Sequence, residues 1–562
     1  MGIIQGQQRC VPLFWGAGTL SISSKSVREA KTPARWWRVV DRWLDGVEAG
    51  WGVPLLLAMF VAVWMTTLTL AYWNASLHPD VLEAWSVGRS LGWGNAKHPP
   101  LMGWMTLGWT SIFPIADWSM TLLAMVNAAL GLWFVDLIAR RFLKAEGRAI
   151  VLLLAMLLPA YHFHAQRFNA NSVLLAVWPL AIYCFLRSFE NKRSIGWAAA
   201  AGAASALALM GKYYSVFLVA SFVFAAVVHS ERVKYFRSPA PWVAAIVGLV
   251  VLAPHLYWLI TTDFSIFLYP VSKHGGLTLA GVLGKAVKFI AGIAGWLAVP
   301  ALVWVFMLRG HLRDWFAGAQ LRDARLKLLT LIFAGTIVFP IPVALSMRSS
   351  LPSVWALQGL FLAIVLLICL SQVRPSRHET ARLFTIVAGL TALVAALSPL
   401  HAVYRNTHAF NERRNFYQLA TDELMWQWRA LSAQPLRRAS GTEFLAFAIA
   451  FHSEDHPVFS RPLFSPGADF PLPPQRVLDG GWASLCFTDE RVCTEWQSRV
   501  ESYAINPVRF EADITTQLWG MKGVSRRVSG LMVPPVNEVP RPKPHLLHED
   551  GIEEFGARGR RY

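Results

Sequence analysis

Apolar windows long enough to cross a bilayer recur from about residue 52 to about residue 400, and no other feature narrows the possible folds as much. Of the 562 residues, 55% are hydrophobic and only 15% are charged. A water-soluble chain of that composition would expose large adhesive patches, so the pattern describes a polytopic membrane protein. Candidate spans fall at about 52–73, 118–139, 149–161, 172–186, 196–210, 214–229, 240–260, 286–308, 327–346, 353–371 and 383–400. Several are short and would need tilt or local thinning of the bilayer. The expected fold is an all-α polytopic membrane domain of about 11 transmembrane helices over 51–400, followed by a smaller α/β or α+β module.

The formal charge of +18 has two readings. Nucleic-acid binding would gather basic side chains on a soluble face among aromatics. Here they sit mostly in short connectors between apolar spans, which is how topology is encoded. Residues 1–50 and the connectors 140–148, 187–193, 229–237, 309–327 and 374–382 hold 25 Lys and Arg. The alternate set, 74–117, 161–172, 211–213, 260–288 and 346–353, holds 8. The first set is therefore assigned to the cytoplasm. An odd number of spans then puts 401–562 and the remaining 19 basic residues on the outer side.

Residues 1–50 carry Arg9, Lys25, Arg28, Lys31, Arg35, Arg38 and Arg42, and the first long apolar run begins only near Trp51. That is not the form of a cleavable signal, so 1–50 reads as a basic cytoplasmic tail with an amphipathic stretch around 34–44. Cys184 and Cys369 fall in apolar spans and Cys10 in the tail. Cys486 and Cys493 are disulfide candidates, because the outer compartment permits oxidation. No Cys/His spacing resembles a zinc site. The outer module, 401–533, interleaves Pro-rich stretches with short alternating runs such as 444–451, read as strands. From 534 to 562 apolar content is low, and a disordered tail is expected.

Every notable polar constellation falls on the outer side. The loop 74–117 holds His78-Pro-Asp80-Val-Leu-Glu83-Ala-Trp and then Gly92-Trp-Gly94-Asn-Ala-Lys97-His98-Pro99-Pro100-Leu101. Asp80 and Glu83 are three apart and share one face of a helix. A carboxylate pair at a low-dielectric boundary can separate its pKa values, leaving one member as a base. Pro79-Asp80 is equally a helix-start signal, which would leave Asp80 merely solvated. Two prolines fix the chain after Lys97, and an ammonium held there suits a lipid phosphate. The bland alternative is a lysine snorkelling to the interface.

Further along lies Tyr161-His-Phe-His164-Ala-Gln166-Arg167-Phe-Asn169-Ala-Asn171, whose cation and amides must face water, a cavity or headgroups. Gly211-Lys212-Tyr213-Tyr214 puts a lysine in a tight turn; its tyrosines alone would be an ordinary interface belt. Thr261-Thr-Asp263-Phe-Ser with Lys273-His274-Gly275-Gly276, and Arg348 in Ser346-Met-Arg-Ser-Ser, complete the set. Singly, each reads as structure as readily as function. Their convergence on one side points to a site.

Asp80-x-x-Glu83, Leu91-Gly-Trp-Gly94 and Lys97-His-Pro-Pro-Leu101 resemble the first outer loop of the protein O-mannosyltransferase superfamily. The bacterial branch, with the lipid A aminoarabinose transferase and the rhizobial galacturonosyltransferases, is nearer. Gly211-Lys-Tyr-Tyr214, the stretch 348–355 and Thr407-His-Ala-Phe-Asn-Glu-Arg-Arg414 are similar to that branch too, so the resemblance spans about 52–420. It implies the C-type glycosyltransferase fold and inverting transfer of a sugar from a polyprenyl phosphate to an acceptor on the outer face. Carried over by motif, Asp80 becomes the catalytic base, with Glu83 assisting it or orienting the acceptor. Lys97 and His98 would lie against the donor phosphate, and Lys212 and Arg348 would help to neutralise it. Arg167, Asn171, Tyr213 and Lys273 join them as substrate-loop candidates.

These roles suit the chemistry. A positioned carboxylate assists an attacking hydroxyl, and fixed cations stabilise a departing phosphate. Two departures stand out. His98 intervenes between the lysine and Pro-Pro, which are adjacent in the aminoarabinose branch. Asn169 and Asn171 lie where many relatives carry an aspartate; an amide is neither a base nor a strong ligand for a divalent ion. That argues against a metal requirement and leaves Asp80 with more of the work.

The resemblance thus implies a multi-pass enzyme of the bacterial inner membrane, its N-terminus cytoplasmic and its C-terminal module periplasmic. Its partners would be a polyprenyl-phosphate-linked sugar donor, the bilayer, and an envelope acceptor, the lipid A or core glycolipid first. Modification of protein Ser/Thr by the same donor class is the near alternative. A transporter or flippase of lipid-linked sugars would show internal repeats and polar residues at mid-bilayer depth. No repeat is seen, and the polar residues concentrate in outer loops. No single motif reads out which sugar is moved.

Overall fold

The computed structural model describes residues 35–95, 97–267, 274–308, 323–371, 375–410, 413–459 and 471–536. Most of the expected basic tail, most of the expected disordered tail and the candidate Lys273 lie outside the described residues. The amphipathic stretch before the first span is helix α1 (Arg35–Ala49). Its Val40, Leu44 and Val47, at helical spacing, are buried. Trp43 Nε1 donates to the Gly52 carbonyl at 2.8 Å and closes the elbow into α2 (Gly52–Ala71).

Two short helices, α3 (Pro79–Gly88) and α4 (Leu101–Thr110), lead into α5 (Asp117–Ala139). Then follow α6 (Ala145–Met156), α7 (Leu174–Glu190), α8 (Ile195–Gly211), α9 (Val216–Val228) and α10 (Ala240–Thr261). The membrane part ends with α11 (Leu279–Leu308), α12 (Ala324–Val338), α13 (Phe361–Leu370) and α14 (Arg377–Thr407). Among the described residues six stretches are long and apolar enough to cross a membrane: α2, α5, α10, α11, α12 continued to Ser346, and α14. A seventh forms if the 3₁₀ helix Ser353–Gly359 and α13 are one span bent by 52°.

The spans expected at 149–161, 172–186, 196–210 and 214–229 are α6 to α9, with 12, 17, 17 and 13 residues. At 17 residues α7 and α8 sit at the lower limit of about 17–25 residues for a crossing, and α6 and α9 fall below it. Much of the apolar character of α6 and α7 serves helix–helix packing, whereas most of α9 is not buried. Almost all of α6 is buried, and a Cβ on Gly202 of α8 would lie 2.1 Å from the Ala244 carbonyl of α10, so only glycine allows that approach. The long helices divide differently. The most apolar window of α5 is 67% buried and that of α10 only 11%, so α5 is central and α10 peripheral. Trp242, Ile246, Leu249, Val250, Tyr257 and Ile260 of α10 are exposed, a surface that suits lipid rather than water.

One end of the bundle gathers basic connectors. Arg148 of α6 binds Asp136 of α5, Arg141 binds Glu190, and Arg377 reaches both Asp45 and Glu146. Near the other end sits the C-terminal module. It comprises α15 (Tyr417–Leu431), β1 (Arg438–Gly441), α16 (Glu443–His452), β2 (Val458–Phe459), β3 (Trp482–Phe487), α17 (Arg491–Tyr503), β4 (Val508–Leu518) and β5 (Met521–Val533). The sheet order is β2-β1-β3-β5-β4; β1 runs parallel to β2 and β3, and β5 antiparallel to β3 and β4.

The run 444–451, expected as strand, is helix α16. Residues Leu445 to Phe451 are all buried, so the run is covered all round rather than on alternate positions, as a core helix requires. Trp85 of α3 meets Phe451 of α16 edge-on at 5.2 Å, which seats the module on the first connector. A disulfide joins Cys486 of β3 to Cys493 of α17.

Candidate active site

The first connector is built for exposure of one carboxylate. His78 precedes proline and is extended, as that position requires. Pro79 opens α3, and His78 Nδ1 accepts the Asp80 N–H at 3.2 Å, an unusual cap that requires Nδ1 to be unprotonated. Asp80 therefore stands in the first helical turn, where a negative charge meets the positive end of the helix dipole. Its Oδ2 accepts from Asn169 Nδ2 at 2.7 Å. Asn169 is itself fixed, because its Oδ1 caps the N–H groups of Asn171 and Ser172.

Asp80 opens on a cavity of about 210 Å³ whose lining includes His164, Arg167, Asn169, Asn171, Leu175 and Gln358. Arg167 is exposed and has no side-chain hydrogen bond or ion pair among the described residues. Burial, aided by Arg167, holds the His164 imidazole below its ordinary pKa, so it faces the cavity neutral at pH 7. Gln358 donates its amide N–H to the Trp355 carbonyl; Oε1 is left buried without a hydrogen-bond partner among the described residues. Lys212 reaches the same wall indirectly: it donates to Asn171 Oδ1 at 2.5 Å and lies 4.7 Å above the Trp355 ring.

Glu83 points elsewhere. It is buried, and 3.3 Å separates its Oε1 from Lys97 Nζ. Lys97 also pairs with Glu443, at the start of α16. Two carboxylates thus flank one buried ammonium. Burial pushes the Glu83 pKa up to about 7; Lys97 opposes the rise, and Glu443 and Asp80 add to it. Asn95 holds this loop, its Oδ1 accepting the N–H groups of both Lys97 and His98 at 2.9 Å. Gly88 and Gly103 let α3 and α4 touch: a Cβ on Gly88 would lie 2.3 Å from the Gly103 carbonyl.

The structure therefore brings Asp80, Arg167 and Asn171 together on one cavity, with Lys212 behind Asn171. Lys97 and Glu83 meet beside it. Tyr213 is turned to His255, its hydroxyl 2.9 Å from Nε2, while His255 Nδ1 lies 2.6 Å from the Trp93 carbonyl. Arg348 is exposed at φ 52° and does not line the cavity; its carbonyl accepts from Leu277. Glu443 and Gln358 carried no signal in the sequence. An acid opening an apolar helix reads as a dipole partner, and a lone glutamine beside a span reads as nothing in particular.

Residues 97–258 match the dolichyl-phosphate-mannose-protein mannosyltransferase family. Over 267 residues the chain is 26% identical to the lipopolysaccharide core galacturonosyltransferase RgtA of Rhizobium johnstonii, covering 45% of this chain and 52% of that protein. The chain thus spans about half the length of this curated relative. The crystal structure of ArnT from Cupriavidus metallidurans bound to undecaprenyl phosphate superposes with a TM-score of 0.57 at 15% identity, over 86% of this chain and 98% of that one. Its apo state gives 0.55 at 13% identity, with the same coverage. The chain is thus a multi-pass membrane protein with the fold of ArnT, and over residues 97–258 it carries the sequence pattern of the dolichyl-phosphate-mannose-protein mannosyltransferases.

Proposed function

We propose that the protein is an inverting glycosyltransferase that moves a sugar from a polyprenyl phosphate to the lipid A or core glycolipid of the envelope. One observation carries the reading: a held carboxylate, Asp80, and a cation, Arg167, with no side-chain partner among the described residues, share one cavity in a fold also found in a protein solved with undecaprenyl phosphate. The acceptor hydroxyl attacks the anomeric carbon and gives its proton to Asp80. The bond from that carbon to the phosphate oxygen breaks, and the polyprenyl phosphate leaves against Arg167, with Lys212 adding positive potential through the Asn171 wall. Asn169 keeps Asp80 aimed. Lys97 acts here as the clamp between Glu83 and Glu443, which differs from the phosphate contact its motif suggests.

In this reading residues 51–400 form the transferase domain, with 74–117 as its catalytic loop, and 401–533 the outer module. The cavity faces the periplasm, and the N-terminus faces the cytoplasm in the inner membrane. The clustering of Arg141, Arg148, Arg325 and Arg377 at the end away from Asp80 supports that orientation. The test is mass spectrometry of envelope glycolipids from a deletion strain. Loss of one sugar mass is expected, restored by the wild-type chain and not by Asp80→Asn; an unchanged glycolipid profile overturns the acceptor assignment. The matched family's description favours a second kind of acceptor, a protein. In that case the missing mass appears on envelope proteins instead.

A further inference from the structure

The β4–β5 hairpin ends in a two-residue turn, with Leu518 paired to Met521 and Trp519 and Gly520 between them. Both turn residues have positive φ, 47° and 82°. Such turns favour Asn, Asp or Gly at the first position, and a bulky residue there is strained. Trp519 is nonetheless present, and 57% of it is exposed. Met521 and Lys522 beside it are exposed as well. Folding of the module does not account for an aromatic ring left more than half exposed at a strained tip.

The depth of this tip is fixed by helix α14. From 383 to 404 that helix has no Asp, Glu, Lys or Arg, and Arg382 and Arg405 bracket the stretch. At about 1.5 Å per residue it measures roughly 33 Å, close to the roughly 30 Å hydrocarbon core. Leu390, Leu393, Leu397, Leu400 and Tyr404 recur at helical spacing and are exposed, so they form its lipid-facing stripe. Asn406, two residues beyond Tyr404, then stands at headgroup level. It is bonded directly to the hairpin: Asn406 Nδ2 donates to the Met521 carbonyl and Thr516 Oγ1 donates to the Asn406 carbonyl, each at 3.2 Å. A Cβ on Gly523 would lie 2.2 Å from that carbonyl, so the contact is backbone-close. The turn therefore sits within a residue or two of the headgroup layer, docked on the buried face of α14 that lies opposite its lipid-facing stripe.

We propose that the β4–β5 tip is a membrane-interface anchor, with Trp519 and Met521 in the headgroup layer and Lys522 toward lipid phosphates. Tryptophan and lysine are suited to that depth, one amphipathic and the other snorkelling. The anchor ties the C-terminal module to the bilayer at one corner while α16 ties it to the catalytic loop at another.

The test uses the full chain with Cys10, Cys184 and Cys369 replaced by alanine, reconstituted in nanodiscs and labelled with a nitrobenzoxadiazole dye at Trp519→Cys. Ile505→Cys, half exposed just before the far end of the hairpin, is the reference. Nitroxide on lipid headgroups is expected to quench the dye at 519 at least about threefold more than at 505. Equal quenching at both sites, or none at 519, overturns the proposal. So does self-quenching at 519 that appears only when two copies share a disc, since a second chain would then cover the tip. Met521→Cys carries the same label if the first variant does not fold.

Discussion

The two ends of α5 handle buried charge in opposite ways. At the end away from the cavity, Asp136 accepts two guanidinium bonds from Arg148, at 2.9 and 2.8 Å, and the same guanidinium donates to the Val47 carbonyl of α1. The buried charges match one to one. Such a pair adds little net stability, yet removal of either partner strands the other in low dielectric. At the opposite end Asp117 approaches His452 of α16 at 3.8 Å, and beyond it Glu83 and Glu443 share the ammonium of Lys97. There the charges do not match, and the surplus is relieved by Glu83 holding a proton to about pH 7. A matched cluster clasps helices. A mismatched one keeps a titratable group beside the candidate cavity.

Asp80→Asn probes the contrast most strongly. It preserves shape and the contact with Asn169, so transfer is expected to fall by about 10³ while thermal stability in detergent holds. Near wild-type transfer would remove the cavity from the reactive end. Arg148→Met attacks the clasp and is expected to cost about 3–5 kcal/mol in chemical denaturation, with the folded fraction fully active. Lost activity with unchanged stability would erase the distinction between the ends. Lys97→Met is expected to fall between them, at about 1–3 kcal/mol, because a carboxylate left without its cation can take a proton where a buried aspartate facing a missing arginine pays more. Limited proteolysis should then release the C-terminal module faster than in the wild type; equal rates would mean the Lys97 clamp does not hold it.

The apolar helices were legible because burial in lipid or in a helical core leaves the same long apolar runs. That equivalence also leaves the helix count open: α6 to α9 are shorter than the other spans, and length alone does not separate a tilted crossing from a helix buried among its neighbours. The run 444–451 read as strand because alternation and a wholly buried helix both place large apolar residues every second or third position. In the candidate site, Asp80 stood out through the proline before it and the acid after it. Arg167 and Asn171 were visible as polar groups where an apolar bundle should have none. Glu443 was hidden by distance, 346 residues from Lys97 in sequence and in contact with it in the fold. Lys97 was assigned to a phosphate for that reason: a lone cation in a loop invites an anion, and its two carboxylates meet only when α16 packs on α3.

The mismatch at the cavity end has a pH signature of definite sign. The Glu83 pKa is raised from 4.5 to about 7 by burial first, so between those values the folded protein holds a proton that the unfolded chain releases. Its contribution to stability is thus complete below about pH 4.5, is lost as pH rises through about 7, and is flat above that. The histidines act in the other direction. Burial lowers His162 to about 4 and also lowers His164 and His452, so each costs stability as pH falls below the usual imidazole value near 6.5. The raw stability profile mixes these slopes, and only a difference isolates Glu83. Subtracting the thermal midpoints of Glu83→Gln from those of the wild type should leave a curve that declines from about pH 5 to about pH 8. Repeating the subtraction in a Glu443→Gln background should move the decline toward lower pH, because a carboxylate that repels the Glu83 anion has gone and Lys97 is free to favour it. A decline that stays in place would mean that burial alone sets the Glu83 proton and that Glu443 only holds the lysine.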